Sequence, residues 1–218
     1  MKYAFAFIVS LLIAVSAQAQ ALKPPKEPAI DRFLRYAKID TQSAEDQTTV
    51  PSTKKQLNLA NLLAKELKEV GAQNVRVSEF GIVYATVPGN LADNPKVPVI
   101  GFIAHMDTSP AVSGENVNPI IHKNYQGGDI VLPKDPTQVI TVAGSPVLKE
   151  LIGDDIITAD GITLLGSDDK SGCAEIMTMI DTLTQNPQIK HGTLAIAFTP
   201  DEEVGGGIEK FDVKGFGA

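Results

Sequence analysis

Two apolar segments of strand length, residues 97–104 and 193–198, constrain the fold most strongly, because each leads into a group of polar residues. The first is followed by His105-x-Asp107, and the second is followed shortly by Glu202-Glu203. Short apolar runs bounded by turn residues are typical of buried strands. Ligands of open α/β sheets bind at the edge where such strands end. The two segments therefore predict a site at that edge.

Helical patterns lie between the strand candidates. In residues 171–185, apolar residues recur at helical spacing, which predicts one buried face. A second apolar stripe follows residues 51–53, where Ser and Thr are placed to cap a helix that Gly71 ends. Helices between apolar strands predict a three-layer α/β/α domain. The 218 residues include 43% hydrophobic ones, which is enough for one globular core.

The remaining elements are predicted from shorter patterns. Asp160-Gly161 lies between the apolar segments 155–159 and 162–165, which is typical of a hairpin turn. The other predicted elements are a proline-rich lead-in at 20–29, a helix at 30–39, strands at 74–80 and 82–87, and a loop-rich section at 108–144. These patterns predict packing, and no function is assigned to them.

The first residues have the pattern of a secretory signal. Lys2 precedes an apolar run at 4–15, and Ala17-Gln18-Ala19 resembles a cleavage site, which predicts a signal peptide at 1–19. A buried N-terminal helix is the alternative. The run is too short to span a bilayer comfortably. The expected location is therefore periplasmic or secreted, with no membrane partner once the signal is removed.

Charge and cysteine content narrow the function classes. The formal net charge of −7 argues against nucleic acid or an anionic membrane as the main partner. Cys173 is the single cysteine of the sequence, so an internal disulfide is excluded. Its place in a helical pattern favours a role as a small core residue over a role as a catalytic thiol.

Three polar clusters permit metal chemistry. A neutral His105 is a suitable zinc ligand, and Asp107 could hold its other nitrogen, although such a pair is also common as a plain hydrogen bond. Asp168-Asp169 could supply a metal-bridging carboxylate or could simply favour the start of a helix. In Glu202-Glu203, one glutamate could bind metal while the other acts as a base, and a solvated acidic turn is the alternative.

Three segments together, GFIAHMDTSP, LLGSDDKSG and FTPDEEVGGG, resemble the zinc aminoacylase/carboxypeptidase metallopeptidase family in order and spacing. NYQGGDI and HMDTSP are most similar to the tripeptide aminopeptidases of that family. The resemblance implies that residues 30–218 are the N-terminal part of a three-layer α/β/α catalytic domain. It also implies a hydrolase that releases the N-terminal residue of short peptides.

The resemblance implies a role for each matching residue. His105, Asp168 and Glu203 match metal ligands, with Asp168 shared by two Zn²⁺ ions. Asp107 matches the acidic residue that orients the histidine, and Glu202 matches the general base. A cis peptide bond is expected immediately after Asp168.

The sequence also departs from the family pattern. A further acidic ligand, a histidine ligand and an inserted second domain are expected after Ala218, so three of five protein ligands are present and activity of this piece alone is doubtful. A homodimer is expected only for the full-length protein. An export signal is unusual for this cytoplasmic group. Another amidohydrolase, such as a dipeptidase, aminoacylase or carboxypeptidase, and a non-catalytic remnant remain alternative functions.

Overall fold

A computed structural model describes residues 21–91 and 96–218, and the predicted signal peptide lies outside these residues. The helices are α1 (Ala29–Ala37), α2 (Gln56–Glu69), α3 (Ser167–Gln185) and α4 (Val213–Phe216). The strands are β1 (Gln73–Val77), β2 (Val83–Val87), β3 (Ile100–His105), β4 (Ile120–His122), β5 (Ile130–Val131), β6 (Val139–Ile140), β7 (Ile156–Thr158) and β8 (Leu194–Thr199). Within the described ranges, no helix is both long and apolar enough to span a membrane.

Four of the described strands form a mixed sheet in the order β1-β2-β8-β3. β2 is antiparallel to β1 and β8, whereas β3 and β8 are parallel. In that parallel pair, His105 lies opposite Thr199, so both strands end at the same edge. This register brings the two predicted polar clusters together and confirms the mixed α/β class.

One face of the sheet carries the main core. Buried residues of α1, α2 and α3 pack against strand residues that alternate toward this face. The strand residues are Val83, Ala85 and Val87 of β2 together with Ile196 and Phe198 of β8. The predicted helices at 171–185 and after 51–53 are confirmed as parts of this layer.

The other face is covered in the described chain by its last segment. Phe211 and Phe216 pack against Tyr84, whose ring centroid lies 5.4 Å from that of Phe211. Gly101 permits this contact, because a Cβ atom there would lie 2.6 Å from Cε1 of Phe216. The third layer is therefore short, which agrees with an incomplete three-layer catalytic domain.

β3 differs from the prediction that residues 97–104 form a buried strand. β3 lies at the edge of the described sheet, and Ile100 and Ile103 are 53% and 50% exposed. An apolar run predicts what a strand favours, but burial requires a neighbouring strand and a covering layer. Among the described residues, no strand pairs with the outer side of β3 and no layer covers Ile100 and Ile103.

The predicted hairpin at Asp160-Gly161 is also wrong. β7 pairs instead with β4, which lies more than thirty residues earlier in the chain. Asp160 is buried and forms an ion pair with Lys134, whose Nζ lies 2.9 Å from Oδ2 of Asp160. A second, smaller core with Tyr125, Ile130 and Leu148 at its centre lies partly in the section predicted to be loop-rich, and β5, β6 and β7 contribute to it.

The start of α2 is a further correction. The helix begins at Gln56, and the hydroxyl groups of Ser52 and Thr53 bond elsewhere instead of capping it. Thr53 donates to the carbonyl oxygen of Gln42, and Ser52 donates to Asp201. The predicted stop is confirmed, because Gly71 has a φ of 92° directly after the helix.

Candidate functional site

His105 is the centre of the polar edge, because it ends β3 and has carboxylates on both sides of its ring. Its Nδ1 lies 3.0 Å from the carbonyl oxygen of Asp107 and 3.4 Å from Oδ1 of that residue. Its Nε2 lies 3.1 Å from Oδ1 of Asp168 and 3.8 Å from Oε2 of Glu202. Nδ1 is therefore held by Asp107, while Nε2 faces the exposed carboxylates of Asp168 and Glu202.

Asp107 is fully buried and connects β3 to the segment after β8. The backbone N–H groups of Glu202 and Glu203 donate to its two carboxylate oxygens, at 3.0 and 3.1 Å. Burial alone would raise the pKa of Asp107, but His105 and these N–H groups outweigh it and lower the pKa. Asp107 thus stays ionised and fixes both the histidine and the glutamate pair.

Asp168 and Asp169 have different roles at the start of α3. The peptide bond between them is cis, as expected from the sequence. The side chain of Asp168 is 87% exposed and reaches His105, whereas Asp169 accepts a hydrogen bond of 3.1 Å from the backbone N–H of Gly172. Each of the two roles considered from the sequence therefore fits one residue. Asp169 supports the start of the helix, and Asp168 faces the site.

Lys170 and Cys173 fix α3 behind the site. The ammonium of Lys170 donates to the carbonyl oxygen of Ile39 at 2.7 Å, and burial lowers its pKa to about 8. The Cys173 thiol lies 3.4 Å from the carbonyl oxygen of His105 and is buried, as predicted for a core residue. Burial raises the pKa of this thiol well above its usual range, which disfavours a catalytic role.

The charge of the site is unbalanced. Burial by itself lowers the pKa of His105, but hydrogen bonds and charges of Asp107, Asp168 and Asp169 outweigh it and raise the pKa to about 9. The pKa of Glu203 is raised by burial and by the neighbouring carboxylates, although His105 opposes this. Several carboxylates thus share one imidazole, an arrangement that favours a bound cation.

The donor set suits a metal ion, but the site is not fully assembled. Across residues 21–91 and 96–218, no group of three or more His, Cys, Asp and Glu side chains is arranged to hold a metal. His105 and Asp168 are in contact, and Glu203 is held beside them through its backbone. Imidazole and carboxylate groups are the ligands that zinc takes in peptidases. The ligand roles of these three residues stay predictions.

Three residues next to the site were missed by the sequence analysis. Asp201 is buried, has a φ of 63° and precedes the glutamate pair. It accepts hydrogen bonds from Ser52 and Gln56, which lie about 145 residues earlier in the chain. The sequence signal was the acidic residue directly before Glu202, but its partners could not be found from local patterns.

Comparison with known proteins shows what this chain is similar to. It is 57% identical over 189 residues to the Peptidase T of Desulfitobacterium hafniense, and the matched stretch covers 87% of this chain and 45% of that protein. It is 52% identical over 193 residues to the Peptidase T of Listeria innocua, which covers 88% and 47%. The chain therefore spans about half the length of these curated relatives. A scan against protein-family models found no match.

Solved structures support the fold. The aminopeptidase PepT of Bacillus cereus has a TM-score of 0.53 at 22% identity, covering 81% of this chain and 37% of that one. A tripeptidase of Staphylococcus aureus has a TM-score of 0.52 at 22% identity, with the same coverage. At this identity the likeness shows a shared catalytic-domain fold and no more.

The predicted periplasmic or secreted location is wrong. The homologues named Peptidase T are cytoplasmic peptidases. The prediction came from residues 1–19 alone, which lie outside the described residues. An apolar run after one lysine is compatible with export but does not establish it, because the same composition also suits a buried helix.

Proposed function

From this homology to Peptidase T, we propose that the protein is a metal-dependent aminopeptidase that releases the N-terminal residue of tripeptides. One observation carries the proposal. Segments around His105, Asp168 and Glu202 are distant in sequence, yet their side chains meet at one edge of the sheet within 3.8 Å of the histidine ring. Such a convergence of titratable groups is typical of an active site.

We propose that the metal centre consists of two Zn²⁺ ions and that His105, Asp168 and Glu203 are its ligands from this chain. Bound zinc would polarise the scissile carbonyl group and lower the pKa of water. Asp107 supports this assignment, because a carboxylate on the second ring nitrogen fixes the tautomer that leaves Nε2 free to bind metal. The exposed side chain of Asp168 is free to turn toward a cation.

Glu202 is the proposed general base. Its side chain is 63% exposed and its Oε2 lies 3.8 Å from Nε2 of His105, so it reaches the space where a substrate carbonyl would lie. The carboxylate would accept a proton from the attacking water and deliver it to the departing amine. Asp107 holds the backbone of Glu202, which keeps this carboxylate on the open side of the site.

Peptide assays on the protein encoded by the complete natural reading frame test the proposal. We expect zinc-dependent release of the N-terminal residue from a tripeptide with a free amino group, and loss of that release when the metal is chelated. Glu209→Gln is the matched control for Glu202→Gln, because Glu209 is an exposed carboxylate that follows Glu202 closely in the chain, and we expect its loss to leave the rate unchanged. Hydrolysis of N-acetylated tripeptides in preference to free ones would reject the aminopeptidase and favour an aminoacylase.

A further inference from the structure

Asp201 makes an unusually complete set of contacts for a residue in a turn. Its Oδ2 accepts the backbone N–H of Ser52 at 2.7 Å, and its Oδ1 accepts the Ser52 hydroxyl at 2.5 Å. The same Oδ1 accepts Nε2 of Gln56 at 2.6 Å. Because the carboxylate is buried, these donors replace the water that it would otherwise need.

Gln56 contacts Asp201 through both ends of its amide group. Its Nε2 donates to the Asp201 carboxylate, while its Oε1 accepts the backbone N–H of Asp201 at 3.2 Å. Gln56 is fully buried and is the first residue of α2. An amide can make this pair of contacts, because it carries a donor and an acceptor side by side. The start of a core helix is thereby tied to the turn that carries the two glutamates.

The backbone of that turn needs such support. Asp201 has left-handed torsion angles, φ 63° and ψ 22°, a conformation that is costly for most residues and that aspartate and asparagine tolerate best after glycine. Its carbonyl oxygen accepts the N–H of Gly206 at 2.8 Å, which closes a loop around Glu202 and Glu203. On the other side, Asp107 holds the N–H groups of the two glutamates. The glutamate pair is therefore held from two directions.

We infer that Ser52, Gln56 and Asp201 form a clamp that positions Glu202 and Glu203 for metal binding and proton transfer. The clamp residues are positioning residues, because Ser52 and Gln56 contact Asp201 and act on the glutamate pair through the backbone of the turn. The inference rests on the proposed function for its activity readout. It also predicts that loss of the clamp weakens the affinity of the protein for zinc, which can be measured without a peptide substrate.

Gln56→Met tests the clamp with least change in shape, because methionine fills the same space without the amide group. We expect kcat to fall about 10–100-fold with KM changed less than about threefold, since displaced catalytic groups cost rate more than substrate binding. We expect zinc affinity, measured by chelator competition, to weaken about tenfold or more. The measurements use the complete natural reading frame, and circular dichroism confirms that the variant is folded.

Gln185→Met is the matched control. Gln185 donates to Asp181 at 2.9 Å at the far end of α3, so this variant loses a glutamine–aspartate hydrogen bond of the same kind away from the site. It should lose stability but keep the kcat and zinc affinity of the wild type. Ser52→Ala serves as a milder second variant if Gln56→Met does not fold. Asp201→Asn should retain more activity than Asp201→Ala, because asparagine keeps an acceptor and tolerates left-handed torsion angles.

The outcomes separate the clamp from the proposed function. If Gln56→Met and Ser52→Ala keep wild-type kcat and zinc affinity, the clamp is merely structural and the inference is overturned. If the wild type cleaves no peptide, the proposed function fails, and zinc affinity alone then decides the clamp. Weaker zinc binding by Gln56→Met, but not by Gln185→Met, would still support it. A wild type that neither cleaves peptides nor binds zinc would overturn both.

Discussion

Two groups of charged residues in this protein have opposite characters. In the first, named here the sealed network, Arg32 lies between Glu66 and Asp181 at 3.1 and 3.2 Å, and all three side chains are buried. The second is the edge around His105, where Asp168 and Glu202 are largely exposed. Both groups draw on segments distant in sequence, so proximity of charges does not distinguish them.

The difference lies in charge pairing and access. In the sealed network, Arg32 is paired with Glu66 and Asp181. At its rim, the partly exposed Arg35 adds contacts with Glu66 and Glu27, so two arginines face three carboxylates and each carboxylate has an arginine partner. At the edge, one imidazole faces several carboxylates whose oxygens point to solvent. A buried group in which each carboxylate is paired with an arginine stabilises one conformation, whereas an open group whose carboxylates share one imidazole can bind a cation. The comparison teaches that function is indicated by what a cluster leaves unpaired.

The largest expected effect is on activity at the edge. Glu202→Gln should lower kcat by about 10²–10⁴-fold, because an amide cannot accept the proton. The free energy of unfolding should change by less than about 0.5 kcal/mol, since the side chain is mostly exposed. Steady-state kinetics and urea unfolding measure the two quantities. A large loss of stability with little loss of rate would place Glu202 in a structural role and break the comparison.

The sealed network should show the opposite pattern. Asp181→Asn should destabilise the protein by about 3–5 kcal/mol, because Arg32 loses a buried charged partner. The kcat of the remaining folded protein should equal that of the wild type. Glu69→Gln is the control, since it removes a carboxylate from the exposed Lys65–Glu69 pair and should cost less than about 1 kcal/mol. Equal losses in the two variants would show that the sealed network is not energetically distinct.

A smaller effect is expected at Tyr36, whose hydroxyl donates to Glu66. Burial and the negative charge of Glu66 raise the pKa of Tyr36 above its ordinary value. The stability that it contributes is therefore present below about pH 10, the pKa of an unfolded tyrosine, and is lost as pH rises beyond it. Tyr36→Phe should cost about 1.5–3 kcal/mol near neutral pH.

The pH dependence sharpens that test. Above about pH 10, the wild type should lose stability faster than Tyr36→Phe, so the difference between the two proteins should shrink. Urea unfolding at several pH values measures this difference. A constant difference across the whole range would mean that the Tyr36 hydroxyl does not titrate with unfolding.

Much of the fold could be predicted from local patterns. The apolar stripes of α2 and α3 have the helical period, the apolar run of β8 has the length of a strand, and the structure has each of these elements. The fold predictions that failed depended on distant partners. Asp160-Gly161 has the composition of a hairpin, yet β7 pairs with β4, and local composition contains no information about that pairing.

The site shows the same division. The residues around His105 could be proposed because each polar group follows an apolar segment and the three motifs resemble a known family. The clamp could not be proposed, because Ser52 has the local features of a helix cap while its partner, Asp201, lies 149 residues away. The residues that position a site therefore need the structure more than the residues that line it.

The central claim is that the edge around His105 binds metal. Crystals of the complete protein grown with Zn²⁺ and measured by anomalous diffraction at the zinc edge test it most directly. We predict an ion about 2.0–2.2 Å from Nε2 of His105 and from a carboxylate oxygen of Asp168. At saturating zinc, an edge without an ion, with Nε2 of His105 still bonded to Asp168, would contradict the account.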